Sequence, residues 1–260
     1  MPYEKRKREK IDLCNICNLV KPLSWDHVPP KGGIAMTSVE IRNIFKTLTG
    51  KADDYRISQN GVKYRTICSK CNADIGSFYD PVLNDFNRSL GQFLKTNIIL
   101  PRIVQIETKP KRLFKAILSH ILTAKLNIDE VKFDKTIREF VTSEIDPIPK
   151  DINIFYWVYP YDTTIILRDF SIVAHPGDFS TFSFCQLLKY FPIAFLVTDS
   201  YKFRGLPNLS DYANCEIDTI SNIPIDLRNV HSYDWPERVD ESNILVMTSE
   251  TQNGIQAKPR

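Results

Sequence analysis

Long hydrophobic runs are missing from this chain. Nothing approaches the ~18 consecutive apolar residues of a membrane span, and the longest candidate is the short stretch Tyr190–Val197. The basic start, Met1–Lys10, is not followed by the apolar segment that a secretory leader requires. The cytoplasm is therefore the expected compartment, with no membrane partner. Internal repeats and low-complexity segments are absent too, which excludes repeat architectures. Histidine is scarce: there are four in 260 residues, and His27 is the only one before His120. Chemistry in the first 119 residues that needs a histidine titrating near neutral pH has to use His27.

Cysteine is present in a telling arrangement. Without a secretion signal, six cysteines read as metal ligands or buried thiols rather than disulfides. Four form two CxxC pairs, Cys14/Cys17 and Cys68/Cys71. One CxxC turn offers two sulfurs, so two turns complete a tetrahedral zinc site. The 50 residues between the pairs exceed ordinary finger spacing, but this insert has its own helix and hairpin signals, so the two turns can meet. Such a zinc is closed to substrate and structural. Cys185 and Cys215 stand alone, and Cys185, in an apolar run, reads as core packing.

Apolar residues make up 43 % and charged residues 25 %, the balance of a globular protein with a sizeable core. The net charge of +3 is unevenly spread. Residues 1–110 carry 18 Lys/Arg against 11 Asp/Glu, and residues 111–260 carry 16 against 20. A polyanion would meet the first part. Lys5, Arg6, Lys7 and Arg8 in the tail are candidate phosphate contacts, with Lys31 in its Pro-Pro-Lys-Gly-Gly turn; the tail reads first as a solvated arm, and Lys31 reads equally as plain surface.

Periodicity divides the chain into a basic tail (1–11), a first module with a helical extension (12–110) and a second domain (111–260). Thr37-x-x-Glu40 reads as a capping box for a helix over Ile41–Leu48. Tyr55–Ser58 and Val62–Ile67 around Asn60-Gly61 read as a hairpin. Asp80-Pro81 reads as the cap and first residue of a helix with Leu83, Phe86 and Leu90 on one face. Pro101 and Thr108–Arg112 read as a connector before a helix carrying Leu113 to Leu122, and a shorter helix covers Phe133–Ser143. From Ile152 the texture is β-rich: INIFYWVY, TTIILRDFSIV, TFSFC and FPIAFLV, with a last strand at Ile244–Met247. Tyr156, Trp157, Tyr159, Tyr161 and Trp235 read as core and sheet surface. His120 reads as a half-buried helix residue, while His175 and His231 fall in turn and loop.

Between the cysteine pairs lies Ser24-Trp25-Asp26-His27-Val28-Pro29-Pro30-Lys31, and Asn72 follows the last cysteine directly in Cys71-Asn72. An Asp-His pair flanked by CxxC turns, closed by CxxCN, resembles the HNH or ββα-metal nuclease family over roughly residues 12–80. The resemblance implies an α+β protein. An N-terminal zinc-stabilised ββα-metal, treble-clef-like module would precede a helical connector and a C-terminal, mainly antiparallel β domain. It also implies a metal-dependent endonuclease acting on DNA, with His27 as general base and Asp26 and Asn72 holding Mg²⁺ or Mn²⁺. Hard oxygen ligands suit those ions, and phosphodiester hydrolysis needs both a base and a cation. The chain departs from the family at Lys63, where another Asn is usual, and at Ile75, where Lys is usual; Asn60 either substitutes or serves the turn. The alternative is a catalytically inactive zinc-stabilised module that binds nucleic acid or protein. By analogy with bacterial defence and restriction-type effectors, residues 111–260 leave room for a homo-oligomer or a sensor partner.

Overall fold

A computed structural model describes residues 7–33, 37–50, 55–127, 131–143, 147–173, 182–200, 205–238 and 254–260. The first half contains β1 (Ile11–Leu13), β2 (Val20–His27), β3 (Val39–Asn43), α1 (Ile44–Leu48), β4 (Arg56–Ser58), β5 (Lys63–Cys68), α2 (Ser69–Phe78), α3 (Asp80–Lys95) and β6 (Ile103–Thr108). The second contains α4 (Pro110–Thr123), α5 (Lys132–Thr142), β7 (Asn153–Val158), β8 (Thr164–Val173), β9 (Phe182–Tyr190), β10 (Ile193–Thr198), α6 (Ser210–Ala213), β11 (Ser221–Asp226) and β12 (Gly254–Pro259). The protein is mixed α+β, and the three sheets among the described residues are built from antiparallel ladders. Among the described residues no helix is long and apolar enough to cross a membrane.

The small sheet β1-β2-β5 runs directly into α2. The large one has the order β4-β3-β12-β8-β9-β10-β7, so strands from the long insert between the cysteine pairs join strands from the second half. The residue 110/111 boundary falls inside α4, after its first residue, Pro110. At the centre lies α4, with Leu113, Phe114, Ile117, Leu118 and Ile121 all at 0 % exposure. It packs against α3, α5, α6, β5 and β9. Full burial of each such side chain is worth about 1.5–3 kcal/mol, and α4 is the piece that the other layers share. Tyr156, Trp157 and Tyr159 are core residues, as is Cys185.

Several local expectations change. Val39–Asn43 is a strand, not the start of a helix capped at Thr37. Val39 and Ile41 are buried on one side and pair with β12 and β4. The helix begins one turn later, where the Asn43 side chain accepts from the Lys46 amide at 3.1 Å. The two strands flanking Asn60-Gly61 do not form a hairpin: β4 pairs with β3, and β5 pairs with β2. The turn itself survives, with Gly61 at φ +63°. Asp80 is the first residue of α3 rather than its cap. The expected connector contains β6, paired with β11, and α4 starts at Pro110 within it. The strand expected at 244–247 lies outside the described residues.

Candidate metal centre and the Asp26–His27 strand

Two turns bring the cysteines together. The first, between β1 and β2, is closed by the Cys14 amide on the Leu19 carbonyl and the Asn18 amide on the Cys14 carbonyl, both at 2.9 Å. Asn18 takes the left-handed conformation (φ 55°) that this tight reversal requires. The second turn is the β5–α2 junction, where Cys68 ends the strand and Cys71 sits in the first helical turn. All four sulfurs lie within 4.8 Å of one another, with Cys17 and Cys68 Sγ at 4.0 Å. A tetrahedral zinc with bonds of about 2.3 Å sets sulfurs ~3.8 Å apart. The Cys68 amide donates to Cys14 Sγ at 3.2 Å. A hydrogen bond from Cys71, backed by backbone donors, pulls the Cys14 thiol down to about 4, while burial pushes Cys17 up. A site that already favours one thiolate and excludes water from three of its sulfurs fits a soft divalent ion.

The cysteine turns are seated on the end of α4. Asn15 donates to the Leu122 and Lys125 carbonyls at 2.7 and 2.8 Å, covering helix-terminal acceptors. Thr66 Oγ1 donates to the Thr123 carbonyl at 2.6 Å. Arg8 is buried, its Nη2 spent on Leu13 O, Asn15 Oδ1 and Thr66 O. It fastens the first cysteine turn and presents no free cation to a phosphate. Lys7 is exposed beside Arg65, and Lys31 is exposed. Lys5 and Arg6 lie outside the described residues.

Asp26 and His27 leave β2 on opposite sides, as consecutive strand residues do. Asp26 is 7 % exposed and faces α4. Its Oδ2 lies 3.8 Å from His120 Nδ1, and His120 Nε2 lies 2.9 Å from Asp80 Oδ1. His120 is fully buried rather than half-buried, in a carboxylate–imidazole–carboxylate chain. Burial, reinforced by Asp80, pushes the Asp26 carboxyl up to about 6, partly offset by His120. Burial opposes charge on His120, but Asp80 and Asp26 outweigh it and its pKa is raised.

His27 sits on the outer side, opposite Lys63 in the β2–β5 register. The Asn60 backbone carbonyl accepts from its ring, so Asn60 reaches the histidine through its main chain. Burial, then the charges of Lys63 and Lys31, lower the His27 pKa, leaving a neutral imidazole at neutral pH. Its Nε2 is buried without a hydrogen-bond partner among the described residues, and so is Asp26 Oδ2. Asn72 donates its amide to Ser24 Oγ at 3.1 Å and to the Trp25 carbonyl at 3.0 Å, bracing β2 between them.

The four cysteines are placed to hold a metal ion, and a set of four sulfurs suits zinc. Among the described residues, the four cysteines are the one grouping of His, Cys, Asp or Glu ligands close enough to share an ion. Asp80 and His120 were not anticipated as neighbours of Asp26. The signal available for His120 was a polar residue at helical spacing between Ile117 and Ile121. No family model, curated protein or solved structure matches the chain.

Proposed function

We propose that the chain is a metal-dependent phosphodiesterase of HNH type, a DNA endonuclease, whose ββα frame is β2, β5 and α2 stapled by zinc on Cys14, Cys17, Cys68 and Cys71. The observation that carries this reading is His27. Its imidazole is oriented by the Asn60 carbonyl, kept neutral by burial and by Lys63 and Lys31, and left with an unpartnered Nε2. A base that is neutral at working pH and flanked by cations suits removal of a proton from water beside a phosphate. Asp26, through its carboxylate, and Asn72, through its amide oxygen, are the residues that would hold Mg²⁺ or Mn²⁺. That ion supplies positive charge to the phosphate and leaving oxygen.

A second reading has its own support. Asp26 is turned toward His120 and Asp80, and Asn72 is engaged by the backbone of β2. A zinc-stabilised binding module would use both residues in this purely structural way. Incubation of the full chain with labelled DNA and RNA, each with Mg²⁺, with Mn²⁺ and without added metal, separates the two. The nuclease reading expects cleavage that requires the added ion. Nucleic-acid binding without cleavage in any metal supports the binding module instead.

A further inference from the structure

The register of β2 against β5 slips between Ser24 and Asp26, and the residue at the slip is Trp25. Such bulges re-aim side chains. Trp25 remains 49 % exposed, whereas Trp157 is 1 % exposed and Trp235 packs on it with centroids 5.0 Å apart. One exposed tryptophan means little by itself, but this one is held from two sides. The Arg65 guanidinium carbon lies 5.6 Å from its ring centroid, and Arg65 is itself tied to the Arg8 carbonyl at 2.7 Å. Asn72 holds the Trp25 carbonyl at 3.0 Å.

The surroundings are basic. Arg65 and Lys63 share the outer side of β5, Lys7 bridges to Arg65, and Lys31 is near enough to depress His27. His27 follows two positions along β2, about 7 Å away. Cations alone suit any polyanion, duplex included. An aromatic ring among cations adds a stacking surface, which binds a base of any identity only when that base is free of a duplex stack. We propose that Trp25, backed by Arg65, is a platform for an unpaired base, so that this face takes single-stranded nucleic acid in preference to closed duplex. The proposal rests on the nucleic-acid reading above and adds to it the strand state of the substrate.

Fluorescence anisotropy of the full chain in the absence of added divalent ions tests binding apart from cleavage. A labelled single strand should bind more tightly than the duplex of the same sequence. Trp25→Ala should weaken single-strand binding by about 5- to 150-fold, the range for loss of one stacked base, with duplex affinity and zinc content unchanged. Trp25→Leu preserves apolar bulk without a π face and should lose as much, while Trp25→Phe should retain most of the affinity. Salt-sensitive binding that is indifferent to Trp25→Leu overturns the platform and leaves the nucleic-acid reading standing. Failure of the wild-type chain to bind any oligonucleotide at low salt overturns both.

Discussion

At the residue scale, the adjacent pair Asp26 and His27 divides two environments across the thickness of one strand. Asp26 enters the protein beside His120 and Asp80, and His27 stays with Lys63 and Lys31. This makes the effect of pH on stability specific. The folded carboxyl of Asp26 titrates near 6 against about 4 when unfolded, so the native state binds more protons between those values. Stability from this group is then present at pH 4 and lost as pH rises through 6, by an amount on the order of 3 kcal/mol. His120, also raised, acts in the same direction above about pH 6.5. Asp26→Asn removes the buried charge, so the variant should melt several degrees higher than wild type at pH 8 and show no such gain at pH 4.5. Comparing the two proteins cancels the acid loss of thiolate ligands that both share. An equal gain at both pH values would contradict the assignment.

At the element scale, the four-sulfur site ties β2, β5 and α2 together, because β5 and α2 meet at Cys68 and Cys71 and the β1–β2 turn meets them at Cys14 and Cys17. Zinc on such a site contributes an apparent ~10–16 kcal/mol at neutral pH. Cys14→Ser or Cys71→Ser should therefore lose the bound zinc, expected at one per chain, and give aggregated or poorly folded protein by circular dichroism. Intact folding without zinc would show that the four cysteines are not a structural metal site. The cysteine spacing was legible because two CxxC turns have one common use. The helices α3, α4 and α5 were legible because their apolar residues recur at helical period. Val39–Asn43 was not: Thr37 and Glu40 imitate a cap locally, and pairing with β12, a strand more than 200 residues away, overrides it. β6 was hidden by the prolines that bracket it, although Val104 and Ile106 alternate with exposed neighbours as a half-buried strand must. The chain Asp26–His120–Asp80 joins three elements, so nothing local in the sequence announces it.

At the scale of the whole molecule, the cysteine-bearing module is not set apart from the rest. Asn15 and Thr66 are hydrogen-bonded to carbonyls at the end of α4, and β3 and β4 belong to a sheet completed by β8 and β12. Residues 1–110 alone would leave β3 an unpaired edge against β12 and uncover the faces that α4 buries. That fragment should show no cooperative thermal unfolding, while the full chain does. A sharp, reversible melt of the fragment would show instead that the module is self-sufficient.

The proposed role of His27, the base of a phosphodiesterase whose frame is held by a separate zinc, is read out by the cleavage rate of His27→Ala at saturating Mg²⁺. Wild type should cut. The variant should be slower by ~10²–10⁴-fold, the usual loss for a general base, with zinc content and melting temperature unchanged. Cleavage by His27→Ala at the wild-type rate would contradict it.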